Sequence, residues 1–455
     1  MAEIARLENF SYAWPGGGDW TLRELFIEFP QGQCHWLAGV SGAGKTTLAL
    51  ALKELLPPGR QAGRLLLPVV PGEACSAVGL VLQNPETQIL TDSVGAEVAF
   101  GLENLCLPPA QMPERVRAAL DAVGLDLPFD HPTVRLSMGQ KYRLLIAAQL
   151  VLQPALLILD EPAGQLDDEG LESLAQIIAG LKRQGLAVLL CEHRPGPLLT
   201  VVDRLWHLDA DGALQPVGAG TPPAPHLPRS AAPSPPDPGV PVVAVEKLTV
   251  AAADATPAWQ EASLTLHRGE RAYLCAPNGT GKTTLLRCLA GLLRPSGGSI
   301  RICGRPAAAD LQQGRIGYLF QNPRRQLFET TVFAEVAFSL RRLGLRREAL
   351  AERVASTLEL CRIGHLAERS PHRLSYGQQH LIALATVLAR GPELLLLDDP
   401  LAGLDPAAAQ RVLAILLQCS QEQGTTLLWS GHHPLENPGW NHVTFGIAGG
   451  RFVQH

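Results

Sequence analysis

The 455-residue sequence has few charged and few aromatic side chains. Charged residues make up 18% of the chain and aromatic residues 5%, and the formal net charge at pH 7 is −5. Proteins that bind nucleic acid usually present an excess of lysine and arginine, because contacts to phosphate dominate their affinity. The charge balance therefore argues against a nucleic-acid partner, whereas a hydrophobic content of 46% fits a globular chain with filled cores.

Long apolar runs and paired cysteines are also lacking. No run approaches the roughly 18–20 apolar residues that cross a bilayer, and the first residues contain no apolar signal core. The nine cysteines include no C-x-x-C pair, which favours reduced thiols over disulfides or a zinc site. We therefore expect any role at a membrane to depend on a partner.

What the sequence does contain is two phosphate-binding loops, at residues 39–46 and 276–283. Each loop follows an apolar, strand-like stretch and precedes a helix-like one, which is the context that a P-loop needs. The glycines let backbone N–H groups surround the phosphates, the lysine reaches the β- and γ-phosphates, and the threonine hydroxyl ligates Mg²⁺. The predicted nucleotide-binding residues are Gly39, Ser41, Gly42, Gly44, Lys45, Thr46 and Thr47, and Asn278, Gly279, Gly281, Lys282, Thr283 and Thr284.

The two loops belong to a repeat of the whole chain. Equivalent landmarks are 237 to 239 residues apart, from Lys45 and Lys282 to His193 and His432. So long a period indicates two copies of one domain, each with its own core, rather than a solenoid. The predicted domains are residues 1–215 and 242–455, joined by a Pro/Ala-rich linker at residues 216–241.

Each copy reads as an α/β domain. Short apolar strands alternate with helix-period segments, which predicts a sheet with a parallel core. After Gln83, and after Gln321 in the second copy, the pattern becomes mostly helical. We therefore predict a helical subdomain in each copy, over residues 94–105 and 113–123 in the first and 332–343 and 347–360 in the second.

A pair of carboxylates ends one apolar strand in each copy, Asp160-Glu161 in the first and Asp398-Asp399 in the second. The first carboxylate is placed to hold Mg²⁺, and the next can orient or deprotonate the attacking water. The alternative is a strand that ends in a solvated acidic turn. The upstream P-loop favours the catalytic reading.

Ahead of each of these strands lies a short motif, L-S-M-G-Q at residues 136–140 and L-S-Y-G-Q at residues 374–378. With the P-loops, it resembles ATP-binding cassette (ABC) ATPases, whose signature is close to L-S-G-G-Q. Both copies depart at the third position, with Met138 and Tyr376. The resemblance implies that the following residues touch the γ-phosphate of ATP bound by the opposite domain: Ser137, Gly139, Gln140, Ser375, Gly377 and Gln378.

The resemblance implies a fold and further site residues. The implied fold is two tandem P-loop NTPase domains, each with a RecA-like parallel sheet core, an antiparallel β-subdomain and a helical subdomain. Gln83 and Gln321 match the loop glutamine that senses Mg²⁺ and nucleotide. The other implied residues are the catalytic Glu161 and Asp399, the switch histidines His193 and His432, and Tyr12, which would stack on adenine.

The residues after each loop glutamine are unusual and shared. Q-N-P-x-x-Q begins at Gln83 and at Gln321, and V-x-x-E-V-A-F begins at Val94 and at Val332. This pattern resembles the ATPases of energy-coupling factor (ECF) transporters, which import vitamins or transition-metal ions. It implies two partners, an integral membrane scaffold subunit and a small substrate-binding membrane subunit, and a peripheral location on the cytoplasmic face of the cell membrane. We expect partly apolar, exposed surfaces near Gln88, Val94 and Phe100, and near Gln326, Val332 and Phe338.

The resemblance further implies that the two domains pair head to tail around two ATP molecules. We expect the first site to dominate turnover, because the second has Asp399 for Glu161, Ala276 for Gly39 and Val250 for Tyr12. A rival interpretation is a soluble tandem ABC ATPase that acts on ribosomes or nucleic acid. Such proteins tend to carry charged linkers, metal-binding cysteine clusters or coiled-coil insertions, which this sequence lacks. A regulatory module without turnover would need both sites degraded.

Overall fold

The chain forms two compact units, residues 1–224 and 225–455. The computed structural model describes residues 3–16, 19–40, 42–67, 77–83, 85–164, 166, 168–192, 196–217, 239, 241–251, 257–277, 279–307, 314–432, 440–448 and 451–454. Three predicted site residues, Ser41, His193 and Asn278, lie outside these ranges, as does most of the predicted linker.

The first unit contains a mixed sheet, an antiparallel sheet and helices. Its strands are β1 Glu3–Ala13, β2 Leu22–Pro30, β3 Cys34–Ala38, β4 Arg60–Leu66, β5 Val78–Val81, β6 Leu156–Asp160, β7 Ala187–Cys191, β8 Arg204–Leu208 and β9 Leu214–Val217. Its helices are α1 Lys45–Leu52, α2 Val94–Asn104, α3 Met112–Ala122, α4 Met138–Leu150 and α5 Asp168–Arg183. The large sheet has the order β5-β6-β7-β3-β8-β9, and β2-β1-β4 form the small one.

Strands β5, β6, β7, β3 and β8 run parallel, and only β9 is antiparallel to its neighbour. Every residue of β3, β5, β6 and β7 is buried. These strands are nearly continuous in apolar residues because parallel sheets are covered on both faces. The predicted α/β fold with a parallel core is confirmed.

The second unit repeats this plan. Its strands are β10 Val243–Ala251, β11 Pro257–Leu266, β12 Arg271–Cys275, β13 Gly297–Ile302, β14 Arg305–Pro306, β15 Ile316–Leu319, β16 Leu394–Leu397, β17 Thr426–Gly431, β18 Val443–Ala448 and β19 Arg451–Gln454. Its helices are α6 Lys282–Leu289, α7 Val332–Arg341, α8 Arg347–Leu360, α9 Tyr376–Leu388 and α10 Pro406–Gln423. The sheet orders are β15-β16-β17-β12-β18-β19 and β11-β10-β13-β14, so β12 occupies the place of β3.

Helices α2 and α3, and their equivalents α7 and α8, form the predicted helical subdomains. Both pack on the helix that follows the short signature motif: α2 and α3 contact α4, and α7 and α8 contact α9. Helix α8 spans the predicted residues, and α7 ends two residues earlier than predicted.

The first unit extends beyond its predicted end at residue 215. Strand β9 pairs antiparallel with β8, and Pro216 lies opposite Trp206. A proline is tolerated there because β9 is an edge strand and needs no N–H on its open side. The proline-rich composition therefore placed the start of the linker two residues too early.

Candidate active site

The carboxyl ends of the parallel strands bring the P-loop and the carboxylates together in each unit. The P-loop connects β3 to α1 in the first unit and β12 to α6 in the second. Gly44 and Gly281 precede these helices with φ of 109° and 96°. Glycine is the residue that adopts this left-handed backbone without strain, so these positions need it. Because β6 and β16 end at the same sheet edge, their carboxylates face the loops.

Each P-loop lysine is buried and held by its own loop. Lys45 Nζ donates to the carbonyls of Gly39 at 2.8 Å and Val40 at 3.2 Å. Lys282 Nζ donates to Ala276 at 2.6 Å and Pro277 at 2.8 Å. Replacing the first loop glycine by Ala276 therefore leaves the placement of the lysine unchanged.

In the first unit, a threonine and an aspartate form a candidate magnesium site. Thr46 Oγ1 donates to Asp160 Oδ2 at 2.8 Å. The other oxygen of Asp160 is buried and has no hydrogen-bond partner among the described residues. Burial, with a smaller contribution from the Glu161 charge, raises the pKa of Asp160 to about 7. A buried carboxylate oxygen with unused acceptor capacity beside a hydroxyl suits a hard cation such as Mg²⁺, so these residues fit the ion.

The second unit repeats the pair with more donors around the aspartate. Asp398 Oδ1 accepts hydrogen bonds from Thr283 Oγ1 at 3.0 Å and Ser430 Oγ at 3.1 Å. Its Oδ2 accepts one from the Tyr318 hydroxyl at 3.3 Å. Burial raises the pKa of Asp398, and the hydrogen bonds from Thr283 and Ser430 oppose that rise. Thr283 and Asp398 are the donor set that can hold Mg²⁺ here.

The following carboxylates have different partners in the two units. Glu161 accepts a hydrogen bond from Gln83 Nε2 at 2.7 Å and lies 3.6 Å from Lys45 Nζ. Asp399 Oδ2 lies 3.1 Å from His432 Nδ1. Both residues have positive φ, 50° and 46°, a conformation that non-glycine residues rarely adopt outside functional turns.

The structure does not bring Gln321 to its carboxylate. Its side chain is exposed and makes no hydrogen bond to any described residue of the second unit; only its carbonyl accepts one, from the Tyr376 hydroxyl at 3.4 Å. In the first unit, the equivalent Gln83 donates a hydrogen bond to Glu161. A hydrogen bond between the loop glutamine and the second carboxylate is thus described in one unit.

The signature motifs cap helices. Ser137 accepts a hydrogen bond from the Gln140 N–H, and Gln140 Oε1 accepts one from the Ser137 N–H at 2.9 Å. Ser375 and Gln378 make the same reciprocal pair. Such capping boxes fix the first turn and leave a helix N-terminus suited to an anion. Both serines are exposed, and among the described residues a Cβ on Gly139 would come closest to Leu166, at 3.7 Å.

The prediction that Tyr12 stacks on adenine is wrong. Its side chain is 1% exposed, and its hydroxyl donates to the Pro57 carbonyl at 2.9 Å. The aromatic that sequence reasoning missed is Trp14, which is 38% exposed and contacts Tyr12 edge-on. Thr21, which precedes β2, donates its N–H to the Tyr12 carbonyl and lies beside Gly44 of the P-loop. Trp14 therefore lies near the P-loop and is partly open to solvent. The sequence feature that could have identified it is its position just beyond the end of β1.

The shared motif after the loop glutamine has a structural role. Glu97 is buried, and its carboxylate accepts hydrogen bonds from the N–H groups of Leu90 and Thr91 at 3.0 and 2.8 Å. Gln88 closes the preceding turn by bonding to the backbone of Leu82 and Leu80. The second unit repeats both arrangements through Glu335 and Gln326.

These contacts present one apolar side chain per unit. Leu90 is 67% exposed and Phe328 is 58% exposed, and Phe328 packs edge-on against Phe338. Phe100 is also exposed. Val94 and Val332, near which we expect these surfaces, are themselves buried at the first position of their helices. Gln88 and Gln326 are likewise engaged with backbone.

Two further residues escaped sequence reasoning, Ser430 and Tyr318. They lie on β17 and β15, the strands on either side of β16, and the hydroxyl of each donates a hydrogen bond to Asp398. A serine or tyrosine within an apolar strand carries no motif, so their contacts become visible only when the strands are paired.

Among the described residues, no helix is long and apolar enough to span a bilayer.

Comparison with known proteins supplies the family. A family profile described as "ABC transporter" matches residues 22–164 and 259–402. A Bifidobacterium longum protein named "Putative ABC transporter ATP-binding protein" is 34% identical over 94% of this chain, which spans 63% of that protein's length.

Two other proteins are also similar to this chain. The Bacillus subtilis "Putative HMP/thiamine import ATP-binding protein YkoD" is 30% identical, over 94% of this chain and 87% of that protein. A solved structure of cbiO1 from Clostridium perfringens, titled "Part of the ABC transporter complex cbiONQ", is 32% identical over 47% of this chain and 87% of that one, with a TM-score of 0.44.

The profile covers both P-loops and both carboxylate pairs, whose geometry fits ATP with Mg²⁺. The chain therefore belongs to the ABC transporter family, as an ATP-binding, ATP-hydrolysing component that carries two such domains in one polypeptide.

Proposed function

We propose that this chain is the ATPase subunit of an ECF-type importer of a vitamin or a transition-metal ion. The two ATPase domains would lie on the cytoplasmic face of the membrane. They would bind an integral scaffold subunit, which carries a small substrate-binding membrane subunit. The name of the Bacillus subtilis relative, which refers to HMP/thiamine import, supports a small-molecule import role. The choice of solute would reside in the membrane subunits.

The observation that carries the proposal is the pair of apolar side chains Leu90 and Phe328. A buried glutamate fixes the loop beneath each one, so each is held outward rather than exposed by chance. Single exposed apolar residues are common on soluble proteins, but here the same buried contacts hold one outward in both copies, and we interpret the pair as part of a protein-binding surface. Because both copies present one, the proposed scaffold subunit would contact both domains.

In the proposed reaction, the P-loops bind the phosphates of ATP. In the first site, Thr46 and Asp160 would hold Mg²⁺, which neutralises developing charge on the phosphates. Lys45 would stabilise the transferred phosphoryl group, and Glu161, oriented by Gln83, would accept a proton from the attacking water. In the second site these tasks fall to Lys282, Thr283, Asp398 and Asp399, with Gln321 as its loop glutamine.

The proposal includes pairing of the two domains. Ser137, Gly139 and Gln140 would complete the site of the second domain, and Ser375, Gly377 and Gln378 that of the first. His193 and His432 would act as γ-phosphate switches. ATP binding would close the pair and hydrolysis would open it, and this motion would drive the scaffold subunit.

Subcellular fractionation of the native host tests the proposal. We expect the chain to sediment with membranes when its partners are present, and to leave them when Leu90 and Phe328 are both replaced by aspartate. Replacing the exposed Phe26 by aspartate serves as the control, because Phe26 lies on β2, outside the two fixed loops. Recovery of the native chain on ribosomes would contradict the importer and favour the soluble tandem ATPase.

A further inference from the structure

The two copies differ in the side chains that hold the metal-binding aspartate. Asp398 accepts hydrogen bonds from Ser430 and Tyr318 as well as from its P-loop threonine. At the equivalent strand positions the first copy has Cys191 and Leu80, as the pairing registers of the two sheets show. Leucine has no donor, and a thiol is a weak one.

Ser430 bonds to both acidic residues of the second site, through the side chain of Asp398 and the backbone of Asp399. Its hydroxyl donates to Asp398 at 3.1 Å and accepts the N–H of Asp399 at 3.0 Å. In the first copy, the equivalent N–H of Glu161 donates instead to the backbone carbonyl of Cys191 at 2.8 Å. The side chain at this strand position therefore fixes the aspartate in the second copy only.

The Tyr318 hydroxyl is held in place by packing. The ring is 9% exposed and contacts Phe320 edge-on, with ring centroids 4.8 Å apart. The Tyr318 backbone carbonyl is also bonded to Gln326, at 2.9 Å. A ring fixed in this way keeps its hydroxyl against Asp398, whereas Asp160 Oδ1 in the first copy has no partner among the described residues.

Hydrogen bonds from outside the coordination shell orient a metal-binding carboxylate, and losing one typically weakens metal binding 10- to 100-fold. We propose that Tyr318 and Ser430 are positioning residues that hold Asp398 ready for Mg²⁺, so that the second site retains Mg²⁺ and nucleotide at a lower free Mg²⁺ concentration than the first. The inference rests on the proposed role of Asp160 and Asp398 as the metal-holding aspartates. Tighter Mg²⁺ binding and the shorter side chain of Asp399 would together make the second site one that retains nucleotide and hydrolyses it slowly.

Binding of trinitrophenyl-ATP, followed by fluorescence as free Mg²⁺ is varied, tests the inference without measuring turnover. Lys45→Ala leaves only the second site able to bind, and Lys282→Ala leaves only the first. We expect the half-saturating Mg²⁺ concentration to be at least about tenfold lower for the second site. In the Lys45→Ala protein, Tyr318→Phe or Ser430→Cys should raise it about tenfold or more.

The chain supplies matched controls. Phe320→Leu loosens the packing around Tyr318 but keeps its hydroxyl, so it should raise the Mg²⁺ midpoint less than Tyr318→Phe does. In the Lys282→Ala protein, Cys191→Ser installs the missing donor and should lower the midpoint of the first site. Thermal unfolding of each variant verifies that the fold is retained.

The outcomes separate this inference from the proposed function. If Asp398→Asn in the Lys45→Ala protein leaves the Mg²⁺ dependence intact, Asp398 does not hold the metal and the proposed site itself fails. If Asp398→Asn abolishes that dependence but Tyr318→Phe and Ser430→Cys leave the midpoint unchanged or lower it, the two hydroxyls do not support metal binding. That result would overturn the inference alone.

Discussion

The two ATP sites should contribute unequally to hydrolysis, and the matched substitutions Glu161→Gln and Asp399→Asn measure how unequally. Each replaces a carboxylate by the amide of the same size, so the site keeps its shape and loses its base. Glu161 reaches Gln83 and lies 3.6 Å from the P-loop lysine. Asp399 is paired instead with His432.

The magnitude follows from one methylene group. A shorter side chain places its carboxylate roughly 1 Å farther from the water it must activate, and a misplacement of that size can cost about a hundredfold in rate. That factor corresponds to about 2.7 kcal/mol of activation free energy. If the second site turns over at about one hundredth of the first, Glu161→Gln should leave about 1 per cent of the activity, and Asp399→Asn should leave nearly all of it.

Release of phosphate at saturating Mg²⁺ and ATP is the assay. Nucleotide binding to both variants is the control, because a variant that no longer binds ATP says nothing about its base. Equal losses from the two substitutions would refute the reasoning. They would mean that Asp399 is a competent base despite its shorter side chain.

Three other predictions concern adenine, the buried carboxylate and the partner surface. Trp14→Ala should weaken ATP binding at the first site several-fold, about 1 kcal/mol, whereas Tyr12→Phe should lower the stability of the protein and leave ATP binding unchanged. Calorimetric titration of the Lys282→Ala protein with ATP distinguishes the two effects. If Tyr12→Phe weakened ATP binding more than Trp14→Ala, Tyr12 would be the stacking residue. The pKa of Asp160 is raised from 3.8 to about 7, so the folded protein binds the extra proton between these values and its free energy of unfolding falls as pH rises through that window. Asp160→Asn should therefore stabilise the nucleotide-free protein by up to about 4 kcal/mol at pH 8, and progressively less toward pH 4. Urea unfolding without Mg²⁺ measures this difference in the free energy of unfolding. A variant that is less stable than the native protein at pH 8 would contradict the expectation. Leu90→Asp and Phe328→Asp should abolish solute uptake in cells and preserve basal ATP hydrolysis by the purified chain, whereas loss of both activities would make these residues part of the core.

Much of the site could be predicted because its chemistry imposes an order on the chain. A P-loop needs its glycines, lysine and threonine between a strand and a helix, and a metal-binding aspartate must end a strand at the same sheet edge. Thr46 bonds to Asp160, and Lys45 lies beside Glu161, in keeping with that order. The helical subdomain followed from its length and helical periodicity.

The errors have a common physical cause, which is that motif positions do not reveal which way a side chain points. Strand β1 contains register irregularities near Asn9, whose φ is 50°. This shift turns Phe10 and Tyr12 into the core and leaves Trp14 beyond the strand end. In the same way, the repeated motif after the loop glutamine suggested an open surface near Val94, although Val94 itself is buried and Leu90 and Phe100 are exposed.

The contacts around Asp398 could not have been predicted from one strand at a time. Ser430 and Tyr318 lie 32 and 80 residues from the aspartate in sequence, and they meet it because three strands end at one edge. Their hydroxyls interrupt otherwise apolar stretches and match no motif. Only the pairing of strands assigns them a partner.

Whether this ATPase drives a membrane importer is tested most directly by identifying the proteins that co-purify with the tagged chain from native membranes in mild detergent. We expect two integral membrane proteins in the complex, a scaffold and a small substrate-binding subunit, and we expect Leu90→Asp combined with Phe328→Asp to remove both. Recovery of ribosomal components or nucleic acid without any integral membrane protein would contradict this expectation.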